Sequence, residues 1–98
     1  MKLCMEVVSY RLKQEVSTET FMGHVNQLQK ALNEVTGFVK REVFFNTEKG
    51  VWVEIVEWES PEAAKQGEAK IMQETFMVEA MALIDESTIQ MHMVKQVV

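Results

Sequence analysis

The sequence contains very little cysteine and proline, and both shortages limit what the chain can be. Cys4 is the only cysteine among the 98 residues, so the chain has no internal disulfide and no cysteine-based metal site. Pro61 is the only proline, and no linker, repeat or low-complexity segment divides the chain. A sequence of this length without an internal boundary is expected to fold as one domain.

Clustered positive charge and long apolar runs are also missing. The 10 Lys and Arg residues are scattered and outnumbered by 15 acidic residues, which gives a net charge of −5. Nucleic acids and anionic membranes are bound by clustered basic side chains, so we expect neither as a partner. No apolar run approaches the roughly 20 residues of a membrane span, and Glu6 interrupts the N-terminal stretch before a signal-peptide core forms. We therefore expect a soluble, cytoplasmic protein.

Apolar residues, in contrast, are abundant, at 47% of the chain. A domain this short hides only about 60–65% of the surface that its unfolded chain exposes, and one small core does not need so many apolar side chains. The surplus suggests a second buried surface, for which a homodimer is the simplest source. Eight residues are methionine, a side chain that fills irregular cores and adaptable apolar pockets.

The first half of the chain predicts a strand and then a helix. Residues 3–12 alternate between two faces, with Leu3, Met5 and Val7 on one and Cys4, Glu6, Val8 and Tyr10 on the other. Ser17 or Thr18 can cap the helix, and an apolar stripe follows at Phe21, Val25, Leu28, Leu32 and Val35. Gly37 suits the left-handed position that ends such a helix.

Two strands at 38–46 and 51–59 predict a hairpin. A three-residue loop at 48–50 with left-handed Gly50 pairs Thr47 with Val51 and places Arg41 opposite Glu57. One face of the hairpin then holds Val43, Phe45, Val51, Val53 and Ile55. The other, mixed face holds Lys40, Glu42, Phe44, Trp52, Glu54, Val56 and Trp58.

The last third of the chain predicts a broken helix and a final strand. Ser60 caps the helix and Pro61 opens it. Its apolar residues form two separate helical stripes, the first with Ala64, Gly67 and Ile71 and the second with Phe76, Ala80, Leu83 and Ile84. The five-residue step from 71 to 76 does not fit one straight helix and predicts a kink or break near 72–75. Residues 88–97 alternate again as a strand.

The element order is therefore βαββαβ. Right-handed crossovers give a ferredoxin-like α+β fold with a four-stranded antiparallel sheet and both helices on one face. We expect the mixed face, which carries Trp52 and Trp58, to be the uncovered one. An exposed apolar patch of that size marks an interface or a pocket.

The strand end Val56-Glu57-Trp58-Glu59, running directly into Ser60-Pro61 and a helix, resembles the antibiotic biosynthesis monooxygenase family. The element order, Gly37 before the second strand and the broken helix extend the resemblance over most of the chain. It implies a single domain over residues 1–98 and a homodimeric α/β barrel with a pocket between two facing sheets. It also implies oxidation of a small aromatic quinol- or phenol-type compound without a cofactor.

Residue by residue, the match is incomplete. Trp58 coincides with the family's tryptophan. Members that oxidise aromatic polyketides without a cofactor resemble one another in having Asn four residues before it and Tyr six residues after it, where this chain has Glu54 and Ala64. A haem-degrading branch uses Trp and His with the His on the second helix, and residues 61–85 contain neither, so we do not expect haem.

We predict Glu54 and His92 as catalytic residues and four aromatic side chains as substrate contacts, namely Trp58, Trp52, Phe44 and Tyr10. A carboxylate in apolar surroundings has its charged form disfavoured, which suits a general base near neutral pH; alternatively, Glu54 forms a salt bridge with a Lys or Arg of a neighbouring strand or partner. His92 could accept a proton or be a structural histidine. Trp58 is either an aromatic wall or a packing residue.

Two function classes remain open at this point. Glu6, Glu54 and His92 could together offer oxygen and nitrogen ligands, but no close ligand spacing supports a metal site, and we expect neither a metal nor a cofactor. The first class is a cofactor-independent monooxygenase. The second is a non-catalytic module of the same fold that binds a small apolar ligand or only dimerises.

Overall fold

The structure, a computed structural model, describes residues 4–98, so the predicted place of Leu3 lies outside the described residues. Its elements are β1 Cys4–Leu12, α1 Thr18–Leu32, β2 Phe38–Asn46, β3 Val51–Trp58, α2 Pro61–Ile71, α3 Thr75–Met81 and β4 Ile84–Val94. The order is the predicted βαββαβ pattern, with the second helix in two pieces.

The strands form one antiparallel sheet in the order β2-β3-β1-β4. The helices pack on one face of it through small and apolar residues, namely Phe21, Val25 and Leu32 of α1 and Ala64, Gly67 and Ile71 of α2. This is the predicted ferredoxin-like α+β architecture. Between residues 4 and 98, none of the helices combines the length and apolar character needed to cross a bilayer.

The helices cover the face of the sheet that the sequence predicted to be open. Even positions of β3 are buried and odd positions only half-buried; the buried ones are Trp52, Glu54, Val56 and Trp58. Phe21 of α1 meets Trp52 edge-on, with ring centroids 5.0 Å apart. The prediction was wrong because both faces of β3 are apolar, and the helices pack on the face whose two indoles bury the larger area.

The hairpin register also differs from the predicted one, by a single residue. Asn46, not Thr47, pairs with Val51. Asn46 Oδ1 accepts hydrogen bonds from the backbone N–H groups of Glu48 and Lys49, both at 3.0 Å, and the Gly50 N–H donates to the Asn46 carbonyl at 2.8 Å. An Asn side chain that bonds the backbone ahead of it favours this longer turn, which apolar alternation does not reveal.

This register changes which side chains meet. Arg41 pairs with Val56 rather than Glu57 and so lies on the helix-covered face beside Glu54. Phe44 pairs with Val53 and lies on the outer face. The register of β2 shifts between Phe38 and Lys40, so that Phe38 pairs with Trp58.

The predicted break in the second helix is confirmed. α2 ends at Ile71 and α3 begins at Thr75. The start at Pro61 is also as predicted, since Ser60 Oγ accepts a hydrogen bond from the Ala63 N–H at 3.0 Å.

Two other boundaries differ from prediction. α1 ends at Leu32, and left-handed Gly37 (φ 87°) lies in the turn before β2 instead of directly ending the helix. β4 runs Ile84–Val94, starting earlier and ending earlier than predicted. Its early start is supported at a bulge, where the Thr88 hydroxyl accepts from the Arg11 N–H at 2.9 Å and donates to the Asp85 carbonyl at 2.6 Å.

Candidate active site

A cavity of about 260 Å³ lies between the sheet and the helices. Its wall is mostly apolar and includes four methionines, Met72, Met77, Met81 and Met91. Met72 and Met91 are each about half exposed, so the cavity reaches the surface beside the end of α2 and β4. The β3 side chains that were predicted to line a pocket between two facing sheets instead line this cavity inside one subunit, because they point toward the helices.

One polar group in the cavity wall is built around Glu54, which is 7% exposed. Its Oε1 accepts from Arg41 Nε at 2.8 Å and forms an ion pair with Arg41 Nη2 at 2.7 Å. Its Oε2 accepts from the Tyr10 hydroxyl. Arg41 also donates through Nη1 to the Val25 carbonyl at 2.9 Å. Both oxygens of Glu54 are thus engaged, and the predicted alternative of a salt bridge to a neighbouring strand is the arrangement observed.

Tyr10 is held in its neutral form by these surroundings. Burial raises the pKa of the Tyr10 hydroxyl, and the neighbouring Glu54 carboxylate raises it further because a phenolate there would meet a second negative charge. The hydroxyl therefore acts as a hydrogen-bond donor to Glu54.

A second polar group lies further along β1, around Glu6, which is 8% exposed. The Trp58 indole Nε1–H donates to Glu6 Oε1, and the Glu68 carboxyl neighbours that of Glu6 in the same cavity wall. Glu6, Glu68 and Trp58 all line the cavity.

The surroundings of Glu6 favour the neutral form of its carboxyl group. Burial raises the pKa of Glu6 to about 8, and the adjacent Glu68 contributes to the increase, while the Trp58 hydrogen bond opposes it. Glu68 Oε1 is buried and has no hydrogen-bond partner among residues 4–98.

The structure brings together three of the six predicted site residues. Glu54, Trp58 and Tyr10 all line the cavity. Trp58 is 1% exposed and meets Phe38 edge-on at 5.9 Å between ring centroids, so it serves at once as a packing residue and as cavity wall.

The other three predicted residues lie elsewhere. Trp52 is buried between Phe21 and Phe45 and is not part of the cavity wall. Phe44 and His92 pair with Val53 and Val7, which places both on the outer face of the sheet. Glu6, Glu54 and His92 therefore do not converge as metal ligands.

Comparison with known proteins tests the resemblance seen in the sequence. No profile of a known protein family matches the chain, and neither does any curated protein. Solved structures do match. SnoaB, a cofactor-independent oxygenase from Streptomyces nogalater, is 13% identical over 100% of this chain and 96% of its own, with a TM-score of 0.78. A candidate antibiotic biosynthesis monooxygenase from Bordetella bronchiseptica is 18% identical over 100% of both chains, with a TM-score of 0.73.

The fold is that of the antibiotic biosynthesis monooxygenases. A conserved protein from Methanosarcina mazei Go1 shares it as well, at 15% identity, 99% and 95% coverage and a TM-score of 0.76. At such identities the likeness defines the antibiotic biosynthesis monooxygenase fold alone, so the chemistry has to be argued from the residues around the cavity.

The sequence did not predict the roles of three of those residues. Arg41 was given the wrong partner because the hairpin register was off by one. Glu6 was considered only as a metal ligand, although it shares its strand face with Tyr10. Glu68 follows Gly67 on α2, and nothing in the sequence around it indicates a role. Only the contact between Glu6 and Trp58 could have been anticipated, because their strands, β1 and β3, are neighbours in a ferredoxin-like sheet.

Proposed function

We propose that this protein is a cofactor-independent monooxygenase-like enzyme that oxidises a small aromatic quinol- or phenol-type compound inside the cavity of each subunit. The observation that carries the proposal is the cavity itself: an apolar chamber of about 260 Å³ with Trp58 in its wall and carboxyl groups at two points. Such a site suits a flat, apolar molecule oriented by a few polar contacts. The shared fold with a cofactor-independent oxygenase supports the same assignment.

The reaction needs only a proton acceptor and a water-poor chamber. Removal of a proton from an anthrone-type substrate leaves an electron-rich anion that dioxygen oxidises directly. One oxygen atom stays on the ring carbon as a carbonyl, and the other leaves as water with the two hydrogens of the original CH₂ group. The protein's contribution is to bind, to orient and to accept the first proton.

Glu54 has a supporting role in this proposal. Both of its carboxylate oxygens already accept hydrogen bonds, from Arg41 and Tyr10, so it fixes one polar end of the chamber and leaves proton removal to another group. His92 is exposed on the outer face and remains a candidate only for chemistry on that side of the sheet.

A second candidate function is binding without catalysis. It is favoured by the same engagement of Glu54 and by Ala64, which stands where the resemblance implies a Tyr and is 1% exposed. The two functions differ in one measurable respect, since only the enzyme consumes dioxygen when an anthrone is supplied.

Met91→Trp is expected to weaken the binding of anthrone and to slow oxygen uptake, each by at least about tenfold, which corresponds to roughly 1.4 kcal/mol. The larger side chain projects from β4 into the cavity, whose wall includes Met91. Ligand binding can be followed by fluorescence and turnover with an oxygen electrode, against a blank for spontaneous oxidation.

Met22→Trp on α1 is the control. Met22 is exposed on the helix, at 38%, and is not part of the cavity wall. Equal losses in both variants would show that the cavity is not the binding site. Intact binding without oxygen uptake in the unmodified protein would select the non-catalytic function.

We also propose that the protein is a homodimer through the outer face of its sheet. That face carries half-buried Val53 and Ile55 with Phe44, which is 49% exposed.

Phe44→Asp is expected to convert the dimer to a monomer in sedimentation velocity at micromolar concentration, because a charge would be buried in an apolar interface. Val78→Asp on α3, where Val78 is 64% exposed, should leave the mass unchanged. A wild-type protein that sediments as a monomer contradicts the proposal.

A further inference from the structure

We infer that the Glu6–Glu68 carboxyl pair is the proton acceptor of the cavity and takes the first proton from a bound anthrone- or phenol-type ligand. This inference rests on the proposed function, because it specifies the group that starts the reaction in the same chamber. Glu54, which was predicted for this role from the sequence, is excluded from it by its own hydrogen bonds.

Geometry is the first support. Glu6 comes from β1 and Glu68 from α2, and both reach the cavity wall from opposite sides of the space between sheet and helices. Trp58 donates its indole N–H to Glu6, which fixes the carboxyl beside the ring that would flank a flat ligand. Trp58 is therefore a positioning residue for Glu6 as well as a wall.

Proton affinity is the second support. An ordinary carboxylate is a poor acceptor for the proton of a phenol or an anthrone, because its pKa of about 4.3 lies far below theirs. Burial and the neighbouring Glu68 raise the pKa of Glu6 to about 8, which brings the acceptor much closer to the donor. General bases work best when their pKa lies near the working pH and near that of the group they deprotonate.

The Trp58 hydrogen bond lowers the pKa of Glu6, but burial and the neighbouring carboxyls outweigh it. The titratable groups that act most strongly on Glu6 are Glu68 on α2 and Glu54 on β3, and its own strand contributes the buried thiol of Cys4. On β4, the register places Met93 opposite Glu6, and methionine carries no charge. Arg41 is already engaged by Glu54.

The proton transfer is balanced within the chamber. A C–H or O–H bond of the ligand breaks, a new O–H bond forms on the carboxylate, and the electron pair stays in the ring system of the ligand. The total charge of the chamber is unchanged, and this step consumes no oxidant.

Anaerobic hydrogen exchange tests the step apart from oxidation. Anthrone is incubated with the protein in D₂O without oxygen, and deuterium at its CH₂ group is measured by mass spectrometry. The protein-dependent exchange rate is expected to rise with pH and to level off above an apparent pKa near 8, as Glu6 loses its proton. Glu6→Gln should reduce that rate by about 100-fold or more, the usual contribution of a general base.

Two further variants separate catalysis from structure. Burial is the main cause of the raised pKa of Glu6, and Glu68→Gln removes the second one. The pH profile should therefore move to lower pH while exchange persists, an effect that simple loss of packing does not produce. Glu57→Gln, on the outer side of β3 and outside the cavity wall, should match the wild type. Circular dichroism confirms folding of each variant.

The outcomes distinguish this inference from the proposed function. Exchange that depends on Glu6, without oxygen uptake in air, supports the proton acceptor and overturns the oxygenase. Oxygen uptake or exchange that is indifferent to Glu6→Gln overturns the proton acceptor and leaves the oxygenase standing. Bound anthrone that neither exchanges nor oxidises overturns both.

Discussion

Gly67→Ala is expected to destabilise the protein by about 1–3 kcal/mol, the usual cost of forcing extra atoms into a packed core. A Cβ at this position would clash with the Trp58 ring atoms Cη2 and Cζ3 and would lie 3.2 Å from Val35 Cγ1. Trp58 cannot move aside easily, because it is 1% exposed and its indole is bonded to Glu6. The loss should therefore appear in thermal and urea unfolding, together with weaker binding in the cavity.

Gly23→Ala provides the matched control for this prediction. Gly23 also lies inside a helix, and a Cβ there meets no atom within 4 Å. Replacing Gly with Ala in an open helical position stabilises by roughly 0.5–1 kcal/mol through helix propensity. The same substitution should thus lower the free energy of unfolding at Gly67 and raise it at Gly23. Stabilisation by both would show that α2 does not lie against the Trp58 ring.

The parts of the fold that were predictable from the sequence are those set by local chemistry. Ser60-Pro61 fixes a helix start, because Ser accepts the free N–H groups and Pro lacks one. The five-residue step between apolar phases predicts a break because a straight helix cannot keep both Ile71 and Phe76 on one stripe. These features depend on neighbours in the chain, and the structure confirms them.

The hairpin register and the covered face were not predictable in the same way. The register depends on two hydrogen bonds to the Asn46 side chain, whereas strand alternation favoured the pairing one residue away. The covered face depends on how the whole helix layer packs, since β3 offers apolar side chains on both sides. Both errors moved the expected site. The register error transferred the side chains of β2 to the opposite face, because a shift of one residue does so for a whole strand. The error in the covered face placed the pocket on the wrong side of the sheet.

The candidate site was correspondingly half predictable. Trp58 and Glu54 could be found because strand alternation places them on one face of β3 together with Trp52. Arg41 and Glu68 could not, because their contacts with Glu54 and Glu6 join separate elements and become visible only when the register and the helix packing are both known.

Arg41→Met is expected to lower the free energy of unfolding by about 3–5 kcal/mol, more than Gly67→Ala does. The Arg41 side chain is 1% exposed and that of Glu54 9% exposed. Methionine fills a similar volume but leaves the Glu54 carboxylate buried with only the Tyr10 hydroxyl, and leaves the Val25 carbonyl without its donor from Arg41. Urea unfolding at constant pH measures the loss.

Two comparisons isolate the buried charge as its cause. Lys40→Met removes the neighbouring cation of the same strand. Lys40 forms an ion pair of 3.7 Å with Glu42, and the two side chains are 55% and 51% exposed. Because water screens exposed pairs, this substitution should lower the free energy of unfolding by less than about 1 kcal/mol. The double variant Arg41→Met, Glu54→Gln removes both charges and should be more stable than Arg41→Met alone, since a neutral amide is far less costly to bury than an unpaired carboxylate. If the double variant were instead the less stable of the two, the loss would come from packing around Arg41, and Glu54 would not depend on its partner for its place in the cavity wall.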